Sequence, residues 1–173
     1  SLDPTVTVGT NVRRLLLSDG GALAETPLLW LERAVRTPAR YVSIMRTLAW
    51  GEREWAAIHA DLPDLTRSGQ VAPYLTRLES LGLIERRRSL DAAPKSRATR
   101  YRIVDPLVTF WFRFVLRWRL STRTAPVGAH YADFVRPELH GHMESLLPSL
   151  ARQHVSHAAL ETLGTSAREC GSL

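Results

Sequence analysis

LESLGLIERRRSLDAAPKSRATRYRIVD, residues 78–105, is the stretch that decides the fold. An apolar helix end runs into Gly82, a residue type that ends helices in the left-handed conformation. Two short runs typical of β-strands, LIERRRSL and ATRYRIV, follow around a loop that contains Pro94. We therefore predict a helix that leads directly into a β-hairpin. The question is whether this basic hairpin binds DNA or only holds a domain together.

Three helices are predicted before the hairpin. The segment TPARYVSIMRTLAWG places Thr37 at the N-cap and Pro38 at the first helical position, and EREWAAIHADL predicts a second, shorter helix. The third helix lies in TRSGQVAPYLTRLESLGL, where Thr66 is an N-cap candidate and Pro73 fits the first turn. Helices followed by a hairpin in this order are typical of a winged helix-turn-helix, which we predict for residues 38–104.

Helical segments flank this domain, so the predicted fold class is mostly α. Residues 1–37 are predicted to form a lead-in of two short helices, and residues 105–173 a C-terminal helical region. Asp105 is a predicted N-cap, and we expect the later helices to be interrupted at Pro137 and Pro148. An aromatic stripe in the C-terminal region has helical spacing and is interpreted as core; it comprises Trp111, Phe114 and Trp118.

The positive charge is regional. The formal net charge is +6, and every cationic side chain except Lys95 is an arginine. From Arg67 to Arg102 there are nine Lys or Arg against three Asp or Glu, and nine minus three equals the charge of the whole chain. The excess therefore lies on the third helix and the hairpin, the two elements that a winged helix applies to a duplex.

Other features exclude several protein classes. A single cysteine, Cys170, can form no internal disulfide, which indicates a reducing compartment and a cytoplasmic location. The N-terminus has no signal-peptide pattern, and the most apolar stretch, PLVTFWFRFVLRWRL, is short and carries three arginines. We expect no membrane segment.

Four segments together resemble a known family: PARYVSIMRTLAWGEREWAAI, VAPYLTRLESLGLIERR, RYRIVDPLVTFWFRFV and PELHGHMESL. They resemble the C-terminal half of an archaeal and bacterial family of P-loop ATPases of the STAND type, over roughly residues 24 to 155. The resemblance implies a winged helix followed by an uncharacterised, nuclease-like C-terminal domain. It also implies an ATPase domain as an intramolecular partner.

Two departures from that family limit the activity. The phosphate-binding pattern GxxxxGK[ST] is absent, so this chain is not the ATPase, and we expect a fragment or a truncated relative. The family continues into strands with acidic residues and a lysine, and residues 156–173 contain no such set. By resemblance, Glu144 matches a Phe-Glu position of the family, with Met143 replacing Phe, so Glu144 is interpreted as a vestige of a nuclease-type acidic site.

The leading hypothesis is non-catalytic binding of double-stranded DNA. Helix 67–80 would lie in the major groove, and the basic wing 84–102 would neutralise phosphates. The candidate DNA-binding residues are Arg67, Ser68, Gln70, Tyr74, Arg77, Arg86, Arg87, Arg88, Lys95, Arg97 and Arg100. Two alternatives stay open: a protein–protein or homodimerisation module without a nucleic-acid role, and the remnant of a nuclease-like domain.

Catalytic and cofactor chemistry is not predicted. Cys170 has no histidine nearby in sequence, and no serine lies in a Gly-x-Ser-x-Gly turn. His140, His142 and Glu144 suggest a metal cluster, but only His140 and Glu144 share a helix face. A zinc site needs three or four converging ligands, and the sequence offers no convincing third. We interpret these three residues as surface or packing residues, and expect no metal and no cofactor.

Overall fold

The computed structural model describes residues 3–62, 71–88, 99–120 and 126–163. These residues are mostly helical and include one small antiparallel sheet. The helices are α1 (Val8–Val12), α2 (Thr26–Ala34), α3 (Pro38–Leu48), α4 (Trp55–Ala60), α5 (Ala72–Ser80), α6 (Pro106–Phe110), α7 (Leu116–Leu120), α8 (Val127–His130) and α9 (Arg136–Leu163). Wider π-type turns extend three of these helices, at Arg13–Leu17, Trp111–Val115 and Tyr131–Val135.

The helices α3, α4 and α5 surround a sheet whose central strand comes last in the chain. Its strands are β1 (Arg53–Glu54), β2 (Ile84–Arg88) and β3 (Thr99–Ile103), in the spatial order β1-β3-β2 with antiparallel pairing throughout. The predicted hairpin is β2 and β3. The prediction was wrong for β1, which lies at the start of a segment interpreted as helical. A strand of two residues leaves almost no pattern in the sequence. β1 forms because its backbone pairs with that of β3, about 47 residues later in the chain.

The helix before the hairpin follows the predicted pattern. Pro73 is the second residue of α5, where the missing backbone N–H costs no hydrogen bond. Gly82 follows the C-cap residue Leu81 and has a φ of 69°, in the left-handed region, and the Leu83 N–H donates to the Leu78 carbonyl. Thr37 precedes α3 as predicted, although its side chain makes no capping hydrogen bond. The predicted N-cap Thr66 lies outside the described residues.

The C-terminal helix does not break where proline predicted a break. Pro148 lies inside α9, and Pro137 is the second residue of α9, which follows the π-type turn Tyr131–Val135 without a break. Neither expected interruption occurs. One proline removes one donor, and here the turns on both sides of Pro148 are held by packing, since His142 and Ser149 are buried. Within the described ranges, no helix has both the length and the apolar character needed to cross a membrane.

One continuous core joins all three predicted segments. Leu16 and Leu31 from the lead-in, Ile44 from α3 and Trp111 from the C-terminal region belong to the same buried cluster. The indole N–H of Trp111 donates to the Ala24 carbonyl at 2.8 Å. The aromatic stripe is therefore core, as predicted, and the boundaries between the segments remain a prediction.

Asp105 links the sheet to the C-terminal helices. As predicted, it is the N-cap of α6, and its carboxylate accepts hydrogen bonds from the backbone N–H groups of Leu107 and Val108. We expect Asp105→Ala to lower the free energy of unfolding by about 1 kcal/mol, because these two groups lose their acceptor. Urea denaturation checks this value. Asp105→Asn is the matched control, since asparagine caps helices equally well; an equal loss in both variants would contradict the capping role.

Candidate nucleic-acid interface

Two residues of α5, Tyr74 and Arg77, hold the helix against its neighbours. The Tyr74 ring packs edge-on against Tyr41 of α3 with centroids 5.1 Å apart, and its hydroxyl accepts a hydrogen bond from Arg40 at 2.9 Å. Arg77 donates to the Ala34 carbonyl at the end of α2, at 3.1 Å. These contacts fix α5 against α2 and α3 while Thr76, Arg77 and Ser80 stay exposed.

The positive charge near α5 is not compensated by these contacts. Arg40 bonds a phenol oxygen and Arg77 bonds a backbone carbonyl, and both acceptors are neutral. A guanidinium bound to a neutral acceptor keeps its full charge for a second, anionic partner. We call the surface formed by Arg40, Tyr74 and Arg77 the α5 surface. It is electropositive, and hydrogen bonds hold its side chains in place.

The hairpin divides its cations between two faces of the sheet. Ile84 pairs with Ile103 and Arg86 with Tyr101, so these four residues share the face that packs towards α5. There Arg86 is 53% exposed and lies 3.6 Å from Glu79 of α5. Burial, and then the Glu79 carboxylate, raise the pKa of Tyr101 above its ordinary value. Arg86 thus joins the hairpin to α5 and remains accessible to solvent.

The opposite face of the sheet, here called the outer face, is a network of ion pairs. Arg87 lies 2.9 Å from Glu52 and 3.7 Å from Glu85, and Glu85 also pairs with Arg102. Arg100 lies 3.5 Å from Glu54. Carboxylates of the same chain therefore compensate the cations of this face, unlike those of the α5 surface.

The predicted DNA-binding residues separate into three groups. Tyr74, Arg77 and Arg86 lie on or beside α5, and Arg87 and Arg100 lie on the outer face. Arg88 pairs with Thr99 at the distal end of the hairpin. The remaining candidates lie outside the described residues; they are Arg67, Ser68, Gln70, Lys95 and Arg97.

Two contributing residues were missed from sequence. Arg40 was not a candidate because it lies on α3, 34 residues before Tyr74, and no spacing rule joins them. Arg102 was counted in the basic region but not assigned a role, and it contacts Glu85 across the hairpin. For Arg102 the signal was available, since alternation in a hairpin places opposite charges on one face.

The suspected metal cluster of α9 does not converge. His142 is buried between the rings of Phe110 and Phe114, whereas His140 is 88% exposed and lies 3.3 Å from Glu144. In the part of the chain that the structure describes, no three His, Cys, Asp or Glu side chains are placed to hold a metal ion.

Comparisons of the chain with protein-family models, with curated proteins and with solved structures found no match.

Proposed function

We propose that residues 38–104 form a winged helix-turn-helix that binds double-stranded DNA without catalysis. The observation that carries the proposal is the order helix, strand, helix, helix, strand, strand, with β1 paired beside β3 and with α5 exposed. In this arrangement the helix before the hairpin enters the major groove and the hairpin follows the phosphate backbone.

The α5 surface supplies the chemistry for this role. Thr76 and Ser80 carry hydroxyl groups that bond base edges or phosphates, and Arg77 can make a bidentate contact with guanine or phosphate. Arg40 and Arg86 flank α5 and suit phosphate contacts. Because Arg77 and Arg40 lack a carboxylate partner among the described residues, DNA phosphates would complete their charge pairing.

The arginines contribute unequally in this proposal. Arg87 must leave Glu52, and Arg100 must leave Glu54, before they can bind a phosphate, and Arg86 is paired with Glu79 in the same way. Their net contributions are therefore smaller than that of Arg77, which has a neutral acceptor. Arg88, Lys95 and Arg97 complete the proposed wing at and beyond the end of β2. By the resemblance described above, the module would serve a STAND-type ATPase as its nucleic-acid or partner domain.

The test is fluorescence anisotropy of a random-sequence duplex at several salt concentrations. We expect the double variant Arg77→Gln, Arg86→Gln to weaken binding and to reduce the salt slope by about 2, because each lost phosphate contact removes about 0.9. The matched control is Arg117→Gln, Arg136→Gln, which removes the same charge from exposed positions on α7 and α9. An equal loss in the control, or an unchanged slope, would contradict the proposed interface.

A second candidate function, a protein–protein module, is supported by the outer side of α9. Met143, Leu147 and Leu150 are exposed large apolar side chains at helical spacing, which is typical of a helix that packs against a partner. No duplex binding even at low salt, together with a mass that rises with protein concentration, would favour this candidate over DNA binding.

A further inference from the structure

A cleft of about 660 Å³ separates the outer face of the sheet from α9. The end of α3 and the strands form one wall, and the turns of α9 around Ser145 and Arg152 form the other. Trp50, Leu146 and Pro148 give the cleft apolar contact surface. This volume is typical of sites for small molecules and is far too small to admit a duplex.

The charges in the cleft are unbalanced. Five arginines line it, and four of them have a carboxylate partner: Arg87 with Glu52, Arg100 with Glu54, Arg102 with Glu85 and Arg113 with Glu138. Arg152 is the fifth, and no described carboxylate lies within ion-pair distance of its guanidinium. The excess positive charge of the cleft is therefore centred on α9.

The arginines are close enough to affect one another. Burial, and then the positive charges of Arg87 and Arg102, lower the pKa of Arg152, and the carboxylates of Glu52 and Glu85 only partly offset this shift. The fold thus holds three guanidinium groups around one solvent-filled space, at a cost in electrostatic repulsion. A bound anion with two negative charges would remove that repulsion and could accept bidentate hydrogen bonds from the guanidinium forks.

We propose that this cleft binds a small phosphate ester, with the phosphate at Arg87, Arg102 and Arg152. The apolar contact surface of Trp50 and Leu146 favours an ester over inorganic phosphate, because it gives the organic group a place to bury. The site lies on the outer face, whereas the α5 surface lies beyond the other face of the sheet. Ligand binding in the cleft and DNA binding at the α5 surface therefore depend mainly on different residues.

The experiment is isothermal titration of the full chain with phenyl phosphate at low salt. We expect saturable binding that is tighter than that of inorganic phosphate and at least about tenfold weaker in Arg152→Gln. Arg152 has no described ion-pair partner, so this variant should fold normally. The control Arg33→Gln removes an exposed arginine of α2 and should bind like the original chain.

A second variant predicts a gain in affinity. Glu52→Gln removes the carboxylate that competes for Arg87, so phenyl phosphate should bind several-fold more tightly. Absence of binding in the original chain, or equal binding in Arg152→Gln, would overturn the proposal. Arg152→Gln should leave duplex binding unchanged, so failure of the cleft proposal and failure of the DNA proposal are distinguishable.

Discussion

Replacing Trp111 with alanine is expected to lower the free energy of unfolding by about 3–5 kcal/mol, the usual cost of deleting a large aromatic side chain from a core. Trp111 has 0% of its surface exposed and packs edge-on against Phe112 with ring centroids 5.1 Å apart. Domains of this size are stabilised by about 5–15 kcal/mol, so much of the total stability would be lost.

The loss has a second component at Ala24. The buried carbonyl of Ala24 accepts the indole N–H at 2.8 Å and a weaker hydrogen bond from Arg119 at 3.4 Å. Trp111→Phe keeps most of the ring volume but removes the stronger donor, so it should cost about 1–3 kcal/mol. This contact joins the turn before α2 to the C-terminal helices, and both variants should loosen the lead-in segment.

Urea denaturation followed by far-ultraviolet circular dichroism measures these losses, since the signal does not depend on tryptophan fluorescence. The matched control is Trp30→Ala on α2, where the side chain is 52% exposed; we expect a change below about 1 kcal/mol. A similar loss in Trp30→Ala and Trp111→Ala would contradict the assignment of Trp111 as the centre of the core.

His142 is expected to make the fold sensitive to acid. Burial between Phe110 and Phe114, and then the positive charge of Arg113, lower the pKa of His142 to about 4, although Glu138 opposes the shift. The unfolded chain binds this proton at the ordinary histidine pKa of 6.5, and the folded chain binds it only near 4. Between these values the unfolded state holds more protons, so stability falls as the pH falls.

The expected loss from His142 is about 2 kcal/mol between about pH 7.5 and about pH 5. His130 adds to it, since burial lowers its pKa too, despite the hydrogen bond with the Phe114 carbonyl. His142→Leu should remove the His142 contribution. It should cost little near neutral pH, because the Nδ1 atom of His142 is buried without a hydrogen-bond partner among the described residues.

Urea denaturation at both pH values compares the original chain with His142→Leu. His140→Gln is the matched control on the same helix, because His140 is exposed and its replacement should leave the pH dependence unchanged. An undiminished acid loss in His142→Leu would show that other groups govern the pH dependence.

Local signals predicted the helices, the hairpin and the core stripe. Pro73 and Gly82 marked the ends of α5 because they act through backbone conformation alone. Asp105 marked the start of α6 because its carboxylate accepts hydrogen bonds from nearby backbone N–H groups. Non-local contacts were not predictable. β1 exists because of β3, and α9 passes through Pro148 because packing on both sides outweighs one missing donor.

The site was predicted by composition rather than by geometry. A count of arginines located the basic region, but it could not show that Arg87, Arg100 and Arg102 face carboxylates while Arg77 faces a carbonyl. Glu52 and Glu54 come from the β1 region, which was interpreted as helical, so their pairing with the hairpin could not be anticipated. The cleft against α9 depends on the uninterrupted course of that helix.

The position of β2 at the edge of the sheet has a consequence for self-association. An edge strand exposes unpaired backbone groups that can recruit a strand from another molecule, the first step towards aggregates. The edge strand β2 (Ile84–Arg88) contains three consecutive arginines, so two copies of the protein brought together along this edge would repel one another. Charge on this strand thus opposes edge-to-edge pairing of two copies, and neutral substitutions made there to probe nucleic-acid binding would also favour aggregation.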